Sequence, residues 1–507
     1  MSSVRMYTLS FDMKNSTPFL PSFGPLLFGR RPKSEQAKAL EKLKSSNTLG
    51  DLKAICTDSI PDKLLCPAAQ GAHSRQRIYS LPVIFWAFLA QVLSPGTSCR
   101  EIVRRIQAWH AAAESDTDSS PQTVAYCNAR AKLPEETLTA ISHHIAQRCE
   151  RNTPSHALWK GRSVKIIDGT TVSMPDTPLN QAEYPQPTSQ KPGCGFPLLR
   201  LVGLFSLASG ALLQWAKDST HIHESLLFRR LWDFLEKNDI LLADRGFCSY
   251  YAISELQNRG VDSVIRLHQR RKFDITKGKK LGPNDQLQTW TKPATPPTGL
   301  SEEEFASLPD TLTVRVVKIQ FAAKGFRTTS CLIATTLLDA QLYTLESLGE
   351  LYYQRWTIEL HFRELKTFLG MEILRCRSPH MITRELHMHF IAYNVIRHIM
   401  QSAALQNHKP LSRISFKGSL DTLRHWAPIL DAARKTPRKQ RRLLLEMLHL
   451  IAMDKLPERP NRSEPRAKKR RPKNYHLLTK PRKSMGHVPR RNRPSKTPRQ
   501  NPKSALS

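Results

Sequence analysis

Residues 163–170 read SVKIIDGT. Val164, Ile166 and Ile167 make a short apolar run that ends in a carboxylate, Asp168, and a turn signal, Gly169-Thr170. The run predicts a strand over Ser163–Asp168. Leu198–Leu207 and Ala211–Ala216 predict two more strands, joined around Ser209-Gly210, a hairpin signal. His223–Leu235 reads as a helix. Ile240–Asp244 (ILLAD) predicts a fourth, buried strand that again ends in Asp. Ser249–Arg259 reads as a helix and Val261–Leu267 as a fifth strand. Three strands, a helix, a strand, a helix and a strand predict a mixed α/β sheet with helices packed on it.

Between about Arg270 and Leu338 this rhythm is lost. The stretch carries Lys277-Gly278-Lys279-Lys280, a Pro-rich run at Pro293–Pro297, and β-rich runs at Thr311–Phe321 and Ser330–Leu337. It reads as a strand-rich insertion. Upstream, Leu81–Leu93, Cys99–Trp109, Thr123–Lys132 and Glu135–Cys149 predict four helices, separated by Pro95-Gly96, Ser119-Ser120-Pro121 and Pro134. Arg100, Arg104, Arg105, Arg130 and Lys132 lie on them, so a basic helical module suited to contacting DNA or a plain helical scaffold are both open. Downstream, helix is expected over Leu345–Leu369, over Ile382–Leu405 and in parts of the stretch to Met453. The expected organisation is an irregular segment (1–72, with one helical pattern at Ser34–Lys44), a helical module (73–160), an α/β core (161–269 and 339–400), a β-rich insertion (270–338), a helical C-terminal region (401–454) and a basic disordered tail (455–507).

Charge and composition narrow the function. The 507 residues carry a net charge of +34, and 40% are hydrophobic, enough for a sizeable core. Residues 455–507 hold 18 Lys/Arg against Glu458 and Glu464, with nine prolines. Such a segment cannot bury enough apolar surface to fold alone. The preceding 454 residues keep +18. Basic surface of this extent points to a polyanion, most simply nucleic acid, although a tail of this kind can also serve as a solvated charge run. The longest apolar run, Leu81–Leu93, has 13 residues and contains Gln91. It is too short to span a bilayer, and Met1–Ser16 lacks the apolar block of a signal peptide. The nine cysteines are scattered, with no CxxC pair. They read as ordinary thiols in a reducing, cytoplasmic compartment.

The stretch 345–369, LESLGELYYQRWTIELHFRELKTFL, carries Tyr352, Arg355, Glu359 and Lys366. On a continuous helix at about 100° per residue these four fall within a stripe about 60° wide. The stripe borders the apolar face made by Leu351, Ile358, Phe362, Leu365 and Leu369. Arg355 and Lys366 can hold phosphate oxygens, one by a planar fork and one as a point charge. Glu359 among them suits a hard metal ion that bridges to phosphate. An exposed Arg355–Glu359 ion pair would account for the same residues. Asp168 and Asp244 at neighbouring strand ends could join Glu359 in a three-carboxylate cluster. Such a cluster suits two Mg²⁺ ions about 4 Å apart in phosphodiester chemistry.

Asp168-Gly169-Thr170, Asp244-Arg245-Gly246-Phe247 and Tyr352-x2-Arg355-x3-Glu359-x6-Lys366 together resemble the signature of the DDE transposases of bacterial insertion sequences. The last spacing resembles the mark of their IS-four family, over roughly residues 80–400. The resemblance implies a ribonuclease-H-like core, interrupted by a β-rich insertion, with Asp168, Asp244 and Glu359 as ligands of Mg²⁺ or Mn²⁺. It implies that Tyr352, Arg355 and Lys366 contact the phosphates of transposon-end DNA, and that a homodimer assembles on those ends. Arg245 beside Asp244 could tune the carboxylate or hold phosphate. Trp290, the insertion's single Trp, is the candidate to hold a flipped base, or else a core aromatic. His221 and His223, two apart before a helix, read as a turn cap more readily than as a metal pair. The expected activity is cleavage of transposon ends and joining of the 3′-hydroxyl to target DNA. The rivals are an inactive DNA-binding relative and a structure-specific nuclease with the same core.

Overall fold

In the computed structural model the described residues are 60–66, 78–112, 120–271, 278–320, 330–433, 436–457, 478–481 and 484–485. The helical pattern at Ser34–Lys44 lies outside them, as does most of the basic tail. β1 (Val164–Ser173) pairs antiparallel with β2 (Leu198–Ser206), which pairs antiparallel with β3 (Leu212–Ser219). On its other side β1 runs parallel to β4 (Ile240–Ala243), and β4 parallel to β5 (Asp262–Arg266). The sheet continues through β9 (Ser330–Thr335), β8 (Thr311–Gln320), β7 (Asp285–Thr291) and β6 (Lys279–Gly282), giving nine strands in the order 3-2-1-4-5-9-8-7-6. The fold is mixed α/β, one large sheet with helices on it.

The strand-rich stretch thus forms no separate sheet. β9 pairs antiparallel with β5, Val264 opposite Thr335 and Ile265 opposite Ala334. Arg315 on β8 is fully buried and forks onto Asp285 of β7, Nε to Oδ1 at 2.8 Å and Nη2 to Oδ2 at 2.5 Å. Its Nη1 donates to the carbonyls of Leu337, Asp339 and Tyr343, which fixes the link into the next helix.

Alternate residues of each central strand enter different cores, as the two-residue period of a strand requires. Ile166, Leu242 and Val264 face the apolar cluster built with Leu348, Leu351, Ile358 and Phe390. Ile167, Leu241, Ala243 and Ile265 face the cluster with Phe228, Ile253 and Leu256. Each fully buried Leu, Ile or Phe is worth about 1.5–3 kcal/mol of transfer free energy, so a shift of one residue in any central strand would exchange both cores at once. The helical module (Leu81–Leu93, Cys99–Ala112, Val124–Ala131 and Glu135–Arg151) adds Ile84, Phe88 and Ile141 to the first cluster. It shares that core with the sheet.

Helix Pro379–Gln406 runs through this core and pins the β2–β3 hairpin. Tyr393 Oη donates to Gly210 O at 2.7 Å, and Arg397 Nη2 to Ser209 O at 2.7 Å. Gly210 has φ +68° and lies so close under the Arg397 guanidinium that a Cβ would fall 2.1 Å from Nη2, so only glycine fits there. Among the described residues no helix is long and apolar enough to cross a membrane.

Candidate active site

Asp168 is placed by register. The sequence puts it at the end of its strand, but β1 continues to Ser173, and Asp168 sits mid-strand opposite Gly203 of β2. The antiparallel partner β2 carries β1 onward after the parallel ladder with β4 has ended, which a local reading of SVKIIDGT does not reveal. The last parallel pair is Ile166 with Leu242, and Asp244 follows β4 immediately. Two residues further along each strand, Asp168 and Asp244 stand at one level of adjacent strands.

Burial pushes the Asp168 carboxyl up to about 6; the charges of Asp244 and Glu224 push it the same way, against the Gly169 N–H and Arg355. Gly169 N donates to Asp168 Oδ1 at 2.8 Å, and Arg355 Nη1 reaches Asp168 Oδ2 at 3.5 Å. Glu224 opens the helix Glu224–Arg229, capped by His223, whose Nδ1 accepts from Ser225 N. Its carboxylate lies against Gly169, where a Cβ would come within 2.5 Å of Cδ. Arg200 of β2 lies 3.8 Å from it, Nε to Oε1. Neither Glu224 nor Arg200 stands out in the sequence. The one local signal is that Glu224 follows His223 at a helix start, where an acidic residue complements the exposed N–H groups. The predicted helix His223–Leu235 is in fact this short helix followed by a 3₁₀ turn, Trp232–Phe234.

The helix predicted over Leu345–Leu369 is interrupted. It runs as an α-helix over Leu345–Tyr353, a 3₁₀ turn over Gln354–Trp356, an α-helix over Thr357–Arg363 and a π turn over Glu364–Phe368. A 3₁₀ turn advances about 120° per residue, so three such residues rotate the downstream segment by about 60° beyond a regular helix. The four residues of the stripe therefore do not share one environment. Tyr352 is 2% exposed and Arg355 6%, inside the apolar face and not beside it. Glu359 is exposed, and Lys366 is half-buried on the π turn. Arg355 lies over the rings of Tyr352 and Trp356, and neither its Nε nor the Tyr352 hydroxyl has a hydrogen-bond partner among the described residues. The segment Thr357–Arg363 packs on β1, and Phe205 of β2 meets His361 and Phe362.

Arg245 is exposed and donates to Gln269 Oε1 at 2.9 Å. With Arg266 and Lys318 it lines a groove of about 550 Å³ beside Asp244. Trp290 is 4% exposed on β7, with the Arg271 guanidinium 3.8 Å above its ring, so it packs as a core aromatic with that face covered. His221 is exposed. Among the described residues, no three His, Cys, Asp or Glu side chains are drawn together as they would be around a metal ion. The donor set at Asp168 and Asp244 is nonetheless hard oxygen with too little positive charge beside it. That is the chemistry a divalent cation satisfies.

Residues 159–395 match the family described as Transposase DDE domain. The chain is 27% identical over 425 residues to the transposase InsG for insertion sequence element IS4 of Escherichia coli (strain K12), spanning 83% of this chain and 92% of that protein. It is 31% identical over 84 residues to the probable transposase for insertion sequence element IS5377 of Geobacillus stearothermophilus, 17% of this chain and 22% of that one. A piggyBac transposase, solved as a synaptic complex with hairpin DNA, superposes with a TM-score of 0.40 and 10% identity over 81% of this chain and 85% of that one, a likeness too weak to argue from. The chain is thus similar to the IS4 transposase over most of both lengths and to the transposase DDE domain over just under half of its own. It is a DNA transposase, and the family whose model it matches generally uses divalent metal ions.

Proposed function

We propose that this transposase cuts the ends of its insertion sequence and joins the freed 3′-hydroxyl to target DNA, with Asp168, Asp244 and Glu359 as the carboxylates that hold two Mg²⁺ or Mn²⁺ ions. The observation that carries this reading is the level placement of Asp168 and Asp244 on adjacent strands, near enough for one charge to raise the proton affinity of the other. Bound there, the ions would activate the attacking oxygen and stabilise the leaving one. The chain's own residues prepare that site. Strand register fixes the two Asp side chains, and the buried Arg355 balances Asp168. Glu359, exposed on a segment that packs on β1, completes the set when DNA is engaged.

The strand order 3-2-1-4-5, antiparallel for three strands and parallel for the next two, supports a ribonuclease-H-like core, with β6–β9 as the insertion. Arg245, Arg266 and Lys318 offer a cationic groove beside Asp244 for end-DNA phosphates, and Lys366 a further contact. Arg355, turned from Asp168 toward phosphate, and the Tyr352 hydroxyl would join them. Trp290 would hold a flipped base only after Arg271 leaves its ring. A homodimer on paired ends, working in the cytoplasm, fits the same activity.

The test is strand nicking and joining on labelled duplexes that carry the inverted repeats flanking the coding region. Mg²⁺ or Mn²⁺ should support both steps, and Ca²⁺ should permit binding alone. Cutting without joining would favour the nuclease, and binding without either the inactive relative.

A further inference from the structure

Two thiols share one buried cation, and a third adjoins them, away from the carboxylates. Arg130 is 6% exposed. Its Nη1 donates to Cys99 Sγ at 3.4 Å and to Gln91 Oε1 at 3.1 Å, and its Nη2 to Cys376 Sγ at 3.1 Å. The guanidinium lies 3.9 Å from the centre of the Phe88 ring. Cys99 is the first residue of the helix Cys99–Ala112, and Ser98 Oγ caps that helix by accepting from Glu101 N. A helix N-terminus and an adjacent arginine both favour thiolate over thiol. Cys127 supplies a further hydrogen bond to the Cys99 sulfur. Cys99 is half-buried and Cys127 exposed, and both line a cavity of about 550 Å³ together with Arg130 and Cys376.

These surroundings split the pair. The hydrogen bond from Cys127 and then the charge of Arg130 pull the Cys99 thiol down to about 5, against its partial burial. The Cys127 thiol is pushed up, first by that same bond. Cys376 is buried and pushed up by burial, so it stays a thiol out of reach. The scattered cysteine spacing in the sequence gives no hint of this meeting, since residues 99, 127 and 376 are joined only by packing.

We propose that Cys99 and Cys127 form an oxidisable dithiol in which Cys99 is the nucleophile toward peroxides. The Cys99 sulfur attacks one oxygen of the peroxide, the O–O bond breaks, and the departing oxygen leaves as hydroxide or alkoxide and takes up a proton. Cys99 is then a sulfenic acid. The Cys127 sulfur attacks it, an S–S bond forms, the S–O bond breaks, and water leaves with the proton from Cys127. The two sulfurs together lose two electrons, and the peroxide gains them.

The experiment uses the full chain, with the exposed Cys66 as internal reference. Iodoacetamide at pH 6.5 should alkylate Cys99 at least ten-fold faster than Cys66, read by peptide mass spectrometry. Hydrogen peroxide should produce a Cys99–Cys127 disulfide that dithiothreitol reverses. In Cys127→Ser, peroxide with dimedone should instead leave the adduct on Cys99. Cys99 labelling no faster than Cys66 would overturn the nucleophile assignment. A dimedone adduct on Cys99 of the unsubstituted chain, with no disulfide, would overturn the pairing.

Discussion

Asp168 and Asp244 stand on strands, and Glu359 stands on a helix interrupted on both sides. The strand carboxylates are located by ladders that cannot shift without exchanging two cores. Asp168 is three-quarters buried and keeps an elevated proton affinity. Glu359 is exposed and lies between a 3₁₀ turn and a π turn, the two local geometries in which helical hydrogen bonding is weakest. The difference teaches how the proposed site can be both prepared and adjustable. Its strand half is held in a costly, crowded state, and its helical half sits on a segment freer to adjust.

The sharpest way to break that comparison is nicking. Asp168→Asn and Asp244→Asn should each lower end cleavage on the order of a thousand-fold or more, and the double variant should add little, because the residues act as one unit. Gel-shift binding of end DNA should survive. A variant that nicks at near the unsubstituted rate is not altered at a ligand.

Length changes sharpen it further. Asp168→Glu has no room on a strand fixed from both sides and should lose cleavage about as fully as Asp168→Asn. Glu359→Asp sits on the adjustable half and should keep more, within roughly ten-fold to a hundred-fold of the unsubstituted rate. Equal losses in the two variants would mean that both halves are equally rigid.

Truncation after Asp454 tests the remaining positive charge. Affinity should fall for all duplex sequences alike, and the slope of log K against log salt should flatten, because fewer counterions are released. An unchanged slope would make the tail a solubility device.

The smallest expected effect is thermodynamic. An unfolded Asp titrates near about 3.9, and Asp168 in the fold near about 6. The folded chain holds the proton more tightly, so this residue lowers stability as pH rises from about 4 to about 6, and the cost is complete above that. Metal-free Asp168→Asn should therefore be more stable at pH 7 by about 3 kcal/mol and no different below pH 4. Glu359→Gln, at an exposed position, should shift the thermal midpoint little at either pH. Mg²⁺ should stabilise the unsubstituted chain and fail to stabilise Asp168→Asn.

Much of the fold is legible in local pattern. The apolar runs at Ile240–Asp244 and Val261–Leu267 fall on β4 and β5, and Ser209-Gly210 falls on the hairpin turn. The features that escape are non-local. That β9 joins β5 is decided by partners about 70 residues apart, and Arg315 reads as an ordinary strand residue until Asp285 and three carbonyls close around it. The site obeys the same division. The Tyr352-Arg355-Glu359-Lys366 spacing is visible, but the 3₁₀ turn that buries Tyr352 and Arg355 while leaving Glu359 outside has no signature of its own. Glu224 stays hidden because only packing brings it over Gly169.

The unbroken sheet also sets a span. Lys279 and Lys280, exposed on the edge strand β6, stand six strand spacings from β1 and Asp168, about 29 Å at about 4.8 Å each. One turn of duplex DNA is about 34 Å. Because hydrogen-bonded ladders fill the interval, with no linker in it, the sheet acts as a fixed gauge: the two basic edge residues and the strand carboxylate keep one separation, just under a helical turn, whatever the loops around them do.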